Sequence, residues 1–136
     1  MSDGFANSLT LLKTPKFWKD IRISEKQFRN KADTMDIILF QSKNFLGKLQ
    51  RSFTGSKYDH VAIILRYGDS ELSVLEAESK GVGLCNWKTF MKNKWYNLYK
   101  SICFRHLEID RNQDFLDKIE IFMNVILFYF FICEFY

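Results

Sequence analysis

Cysteine is sparse in this chain, and the three that occur, Cys85, Cys103 and Cys133, are odd in number and far apart. That excludes a disulfide framework and any CxxC-type zinc spacing, so reduced thiols, a cytoplasmic location and no metal are expected. The N-terminus, MSDGFANSLTLLKTPKFWKD, lacks the basic start and uninterrupted apolar run of a secretory leader. No glycine-rich phosphate loop is present either. The GVG at 81–83 lies outside a strand-loop-helix context and no Lys-Ser/Thr pair follows it, and no cofactor is expected. Internal repeats and low-complexity stretches are also missing.

Strong charge of one sign is the last absence. The net charge is +4, from 20 basic and 16 acidic residues that read as interspersed, which argues against a dedicated polyanion surface and so against nucleic acid as a partner. What is plentiful is apolar material, 47% of the chain with 17% aromatics, enough for one domain of 136 residues to bury a core.

Three stretches differ in texture. Residues 1–33 form a lead-in, partly helical, with the only proline at Pro15 and a helix start near Ser24–Gln27. Residues 34–124 carry the regular patterns. DIILF, from Asp36, is a buried strand, and Phe45, Leu46, Leu49 and Phe53 then recur at helical spacing. After a Thr54-Gly55-Ser56 loop, HVAIILRYG is a strand opening at His60, Gly68-Asp69-Ser70 a turn, and LSVLEAE a further strand. GVGL is extended or tightly turned, Asn86 can cap a helix carrying Trp87, Phe90 and Met91, and SICFRHLEI is a strand containing His106, which is read as structural. A last helix opens at Asn112 or Asp114 with a stripe of Phe115, Leu116, Ile119, Phe122 and Met123. The order β, α, β, β, α, β, α predicts an α+β domain with a small, largely antiparallel sheet packed with helices.

Residues 125–136, VILFYFFICEFY with the preceding Asn124, form an aberrant apolar tail. Its apolar core, Val125–Cys133, is shorter than the roughly 17–25 residues a spanning helix needs. Membrane association through this tail is the remaining possibility, and the oligomeric state is left open.

His60 begins a strand after a polar loop, where an imidazole can project into a groove at the sheet edge. On an alternating strand Leu72, Val74, Glu76 and Glu78 share a face, and a carboxylate within an apolar run needs a partner. A hairpin through Gly68–Ser70 brings His60 opposite the Glu76–Glu78 end. The alternatives are a His60 dyad with Glu76 or Glu78, or two solvated glutamates at a strand end. A His–carboxylate dyad serves to deprotonate a thiol or hydroxyl nucleophile. For a thiol the candidates are Cys85 and Cys103, both expected to pack as small apolar residues, and Cys133, open between core residue, tail accident and displaced catalytic position.

Taken together, DIILF, SKYDHVAIILRYG and LSVLEAESKGVGLCNW resemble the permuted papain-like cysteine peptidases and amidases of the YiiX type, relatives of the NlpC-type hydrolases and of lecithin retinol acyltransferase. The resemblance covers roughly residues 33–124. It implies a papain-like core in which Asp36, His60 and Glu76 fall on the family's positions, with His60 as base and Glu76 as its orienting carboxylate. It further implies a thiol hydrolase acting on a peptide, amide or lipid ester through an acyl-cysteine. The family's cysteine belongs after the histidine, at the start of a late helix, in a motif like Phe-Cys-Ser-Glu. Cys133 in FFICEFY is the nearest match, at a shorter spacing, so the resemblance implies a truncated, inactive or incomplete member. A non-catalytic peptide- or lipid-binding module of the same fold and a membrane-associated acyltransferase are the alternatives.

Overall fold

The computed structural model describes residues 21–68, 70–78 and 81–133, with the side chains of 78 and 127–133 outside the description. The expectations for residues 1–20, including Pro15, and for Asp69 and the Glu78 side chain therefore lie outside the described residues.

The first helix, α1 (Glu25–Lys31), starts where the sequence signals it. The Ser24 hydroxyl accepts from the Gln27 N–H and the Gln27 side chain accepts from the Ser24 N–H, a reciprocal cap for two of the donors left unpaired at a helix start. Its single buried side chain, Phe28, packs against Trp87 and Phe104.

Five antiparallel strands follow: β1 (Ile37–Ser42), β2 (His60–Tyr67), β3 (Glu71–Glu78), β4 (Gly81–Asn86) and β5 (Tyr99–Arg105), in the order β4-β3-β2-β1-β5. The stretch GVGL is thus a strand in its own right, the edge partner of β3. Helix α2 (Phe45–Thr54) lies between β1 and β2, α3 (Trp87–Lys92) follows β4, and α4 (Gln113–Cys133) closes the described chain. The small α+β fold with an antiparallel sheet is therefore present.

Alternation along the strands divides the sheet into two faces. One face carries Ile38, Phe40, Ala62, Ile64, Leu72 and Val74, covered by Phe28 of α1 and by Trp87 and Phe90 of α3. Burying each of the larger of these side chains stabilises the fold by about 1.5–3 kcal/mol. The opposite face carries Leu65 and Leu75 and is covered by Met123 and Ile119 of α4. Asn112 caps α4 by accepting from the Phe115 N–H at 3.0 Å, and the helix runs past residue 124 through Cys133 without a break. Among the described residues no helix is long and apolar enough to cross a membrane.

One expectation changes. The strand expected over residues 101–109 spans Tyr99–Arg105, so His106 stands just beyond it rather than within it. The cause is a tertiary contact: His106 Nδ1 and the Leu107 N–H both bind the Asp36 carboxylate, which turns the chain out of the sheet. Helix α2 has the helical spacing expected of it, and its apolar stripe of Phe45, Leu46, Leu49 and Phe53 is exposed while buried Gly47 faces the domain.

Candidate functional site

His60 is placed by the first residue pair of the β1–β2 ladder, where it stands opposite Phe40. Its ring lies 5.6 Å from the buried Phe40 ring, a packed floor that limits its rotation. Glu76 is set by the β2–β3 ladder, where it pairs with Ala62, two residues along from His60 and on the same face. The two side chains meet: His60 Nε2 lies 2.8 Å from Glu76 Oε2. Each side chain retains about a fifth to a quarter of its exposure, 24% for His60 and 22% for Glu76.

His60 lines an open cleft of about 840 Å³ together with Ala77 of β3, and Glu76 holds the ring without being among the lining residues. The cleft walls come from the β1–α2 junction, the start of β2 and the segment Asn97–Tyr99. Asp59, immediately before His60, knits these walls together. Its carboxylate accepts from the Ser42 N–H at 3.1 and 3.2 Å and from the Ser42 hydroxyl at 2.6 Å, and it pairs with Arg51 of α2. Its own N–H donates to the Phe40 carbonyl at 3.0 Å. The start of α2 is held close by Asn44, which accepts from the Gly47 N–H at 2.7 Å. A Cβ at residue 47 would come within 2.9 Å of both Asn44 Oδ1 and Asp59 Oδ2, so the approach of α2 to the cleft depends on glycine.

The cysteines fall elsewhere. Cys85 pairs with Val74 across β3–β4 and packs against the core. Burial, and then the neighbouring Glu76 charge, push its thiol pKa up, the reverse of activation. Cys103 pairs with Leu39, on the sheet face opposite His60. It contacts Tyr58, whose hydroxyl is pushed up first by burial and then by that thiol. Cys133 is the last residue of α4, and its side chain lies outside the described residues. The end of a helix carries negative partial charge, whereas a thiolate is favoured at the start.

Asp36 does not join His60. It is fully buried at the far end of β1, where its carboxylate binds His106 Nδ1 at 2.9 Å, Arg111 at 2.6 Å, and the Leu107 and Asp33 N–H groups at 2.8 Å each. Sequence reasoning missed this network and the role of Asp59. A carboxylate heading an all-apolar strand was a usable signal for the first, since a buried charge requires partners. Its neighbour in sequence, His60, was the only signal for the second. Among the described residues no group of three or more His, Cys, Asp or Glu is placed to hold a metal ion.

A carboxylate bound at Nε2 fixes the ring's orientation and favours its charged form, which is what a carboxylate does for a histidine that serves as a general base. No protein-family model matches the chain, and no curated protein matches its sequence.

Proposed function

We propose that this chain is a thiol hydrolase-type domain, a permuted papain-like peptidase or amidase, with His60 as general base and Glu76 as the carboxylate that orients it. The observation that carries the reading is the 2.8 Å contact between His60 Nε2 and Glu76 Oε2 at an open cleft that His60 lines. In this reaction the His60 imidazole takes the proton from a cysteine thiol, the thiolate attacks the carbonyl of an amide or ester, and the amine or alcohol leaves with a proton from the imidazolium. Water, deprotonated by the same ring, then releases the acyl group from the cysteine. Glu76 holds the ring and stabilises its charged form throughout.

The thiol is the demanding part of this reading. Burial pushes the Cys85 thiol pKa up and Cys103 lies across the sheet, so Cys133 is the residue of this chain left for the role. The placement of Cys85 and Cys103 also favours a second reading, a non-catalytic module of the same fold that binds a peptide or lipid in the cleft beside His60.

A cysteine-directed activity probe at neutral pH separates the two. For the hydrolase, the wild-type chain is labelled and both His60→Ala and Cys133→Ala abolish labelling. A chain that stays unlabelled, or is labelled equally with and without His60, excludes the hydrolase and leaves the binding module.

A further inference from the structure

Helix α2 is mounted with its polar side inward. Gly47 is buried against Ser42 and Asp59, Arg51 pairs with Asp59, and the helix meets the domain through these polar groups. The outward side is the apolar one: Phe45, Leu46 and Phe53 are 74%, 73% and 83% exposed, with Leu49 beside them. At 100° per residue these four fall within one arc about 100° wide, so they make a continuous stripe. Exposed apolar surface continues beside the stripe, because Leu46 and Leu98 both line the cleft and Leu98 is itself exposed, as are Trp95 and Tyr96 next to it. The two segments are joined by a hydrogen bond from the Lys43 N–H to the Leu98 carbonyl at 3.0 Å.

The stretches of sequence that carry α2 and Trp95–Leu98 are basic, although charge looks mixed along the chain as a whole. Of the residues lining the cleft, Lys43 is cationic and Asp59, paired with Arg51, is acidic. Residues 41–58 contain Lys43, Lys48, Arg51 and Lys57 and no acidic residue. Residues 85–107 contain Lys88, Lys92, Lys94, Lys100 and Arg105, again with no acidic residue. The two segments hold nine of the 20 basic residues and none of the 16 acidic ones, so the rest of the chain is net acidic. Apart from Arg51 and Arg105, all of these cations are exposed.

We propose that α2 and the Trp95–Leu98 segment form a docking face for an anionic lipid surface, with Phe45, Leu46, Leu49 and Phe53 entering the boundary between headgroups and acyl chains. The flanking lysines then lie against the anionic headgroups, the arrangement of an interfacial amphipathic helix. Aromatic side chains such as Trp95 and Tyr96 suit the same boundary, having an apolar body and a polar tip. A polyanion without an apolar phase would engage the lysines and leave the stripe in water. A second copy of the same face would set lysines against lysines. Docking in this orientation brings Leu46 and Leu98 of the cleft lining toward the lipid. The inference concerns a surface and does not depend on whether His60 serves in catalysis.

Co-sedimentation of the full chain with vesicles tests it, using phosphatidylcholine alone and phosphatidylcholine mixed with phosphatidylserine. The chain is expected to partition onto the mixed vesicles, weakly onto the neutral ones, and less as salt is raised. The Phe45→Ser, Phe53→Ser double variant alters only side chains that are already exposed, and circular dichroism confirms that it folds. It is expected to lower partitioning roughly tenfold or more, since two aromatic anchors are lost. Lys43→Glu with Lys48→Glu is expected to remove the preference for phosphatidylserine. Absence of binding to mixed vesicles overturns the proposal, as does binding that the serine variant leaves unchanged, which would place the contact elsewhere. A wild-type dimer that the serine substitutions dissolve also overturns it, by showing that a second copy covers the face.

Discussion

The domain contains two histidine–carboxylate pairs of nearly equal length, 2.8 Å for His60–Glu76 and 2.9 Å for His106–Asp36, and they do opposite work. The difference lies in what else each carboxylate binds. Asp36 is 0% exposed and its oxygens also take Arg111, the Leu107 N–H and the Asp33 N–H, so its acceptor capacity is used up by the fold. Its histidine is half exposed and lies outside the sheet. Glu76 has His60 as its partner in a half-buried site, and that histidine lines a cleft. A carboxylate saturated by backbone and guanidinium donors is a structural clamp. One that holds a cleft-lining histidine can position it for chemistry.

The sharpest way to break this comparison is to neutralise the clamp. Asp36→Asn takes from Arg111, itself mostly buried, the nearer of its two carboxylate partners and leaves Asp33 at 3.8 Å, and should cost about 3 kcal/mol of stability in urea unfolding. A loss below about 1 kcal/mol would mean that the network is ornamental, given what breaking a buried ion pair normally costs. Next in size is Gly47→Ala, which sets a methyl within 2.9 Å of Asn44 Oδ1 and Asp59 Oδ2. About 1–3 kcal/mol of destabilisation is expected from such overpacking, measured by thermal unfolding. Removing the exposed partner of the clamp, by His106→Ala, should cost only about 1 kcal/mol, because Arg111 and two N–H groups still satisfy Asp36. Cysteine-probe labelling should not change.

The smallest effect on stability is expected at the cleft. Glu76→Gln should change unfolding free energy by less than about 1 kcal/mol, as for other solvent-accessible ion pairs. It has a chemical signature instead. Glu76 helps to hold the Cys85 thiol up, so its neutralisation should lower that pKa and speed alkylation of Cys85 by iodoacetamide just above neutral pH. An unchanged alkylation rate would show that burial alone sets the thiol. The sign of the linkage follows from the same shift. The folded pKa of Cys85 lies above the unfolded one, so its contribution is fully present below the ordinary thiol range. It is lost as pH rises through the folded value, and Glu76→Gln should soften this alkaline loss.

Much of the architecture was legible locally. Ser24 and Gln27 announced α1, Asn86 and Asn112 announced the caps of α3 and α4, and apolar alternation announced β1, β2 and β3. That His60 meets the Glu76–Glu78 end of β3 was also legible, because a hairpin between β2 and β3 fixes which strand ends meet, whereas the choice of Glu76 came from the structure. The position of His106 was not, since the Asp36 contact that ends β5 spans 70 residues of sequence. Nor was the mounting of α2. Its periodicity marked a helix, but an amphipathic pattern does not state which side faces the core, and here buried Gly47 and the Arg51–Asp59 pair turn the apolar side out.

The sequence by itself determined which segments become helix or strand and which residues share a sheet face, because caps and two-residue alternation act over a few neighbouring positions. Only the tertiary structure decided that Asp36 is sealed into a clamp while Glu76 holds a histidine that lines an open cleft. It also decided that Cys85 and Cys103 lie away from His60 and that the stripe on α2 faces outward. Those outcomes depend on strand order, register and close approach between residues far apart in the chain, where burial and partner count set what each charge and each apolar surface can do.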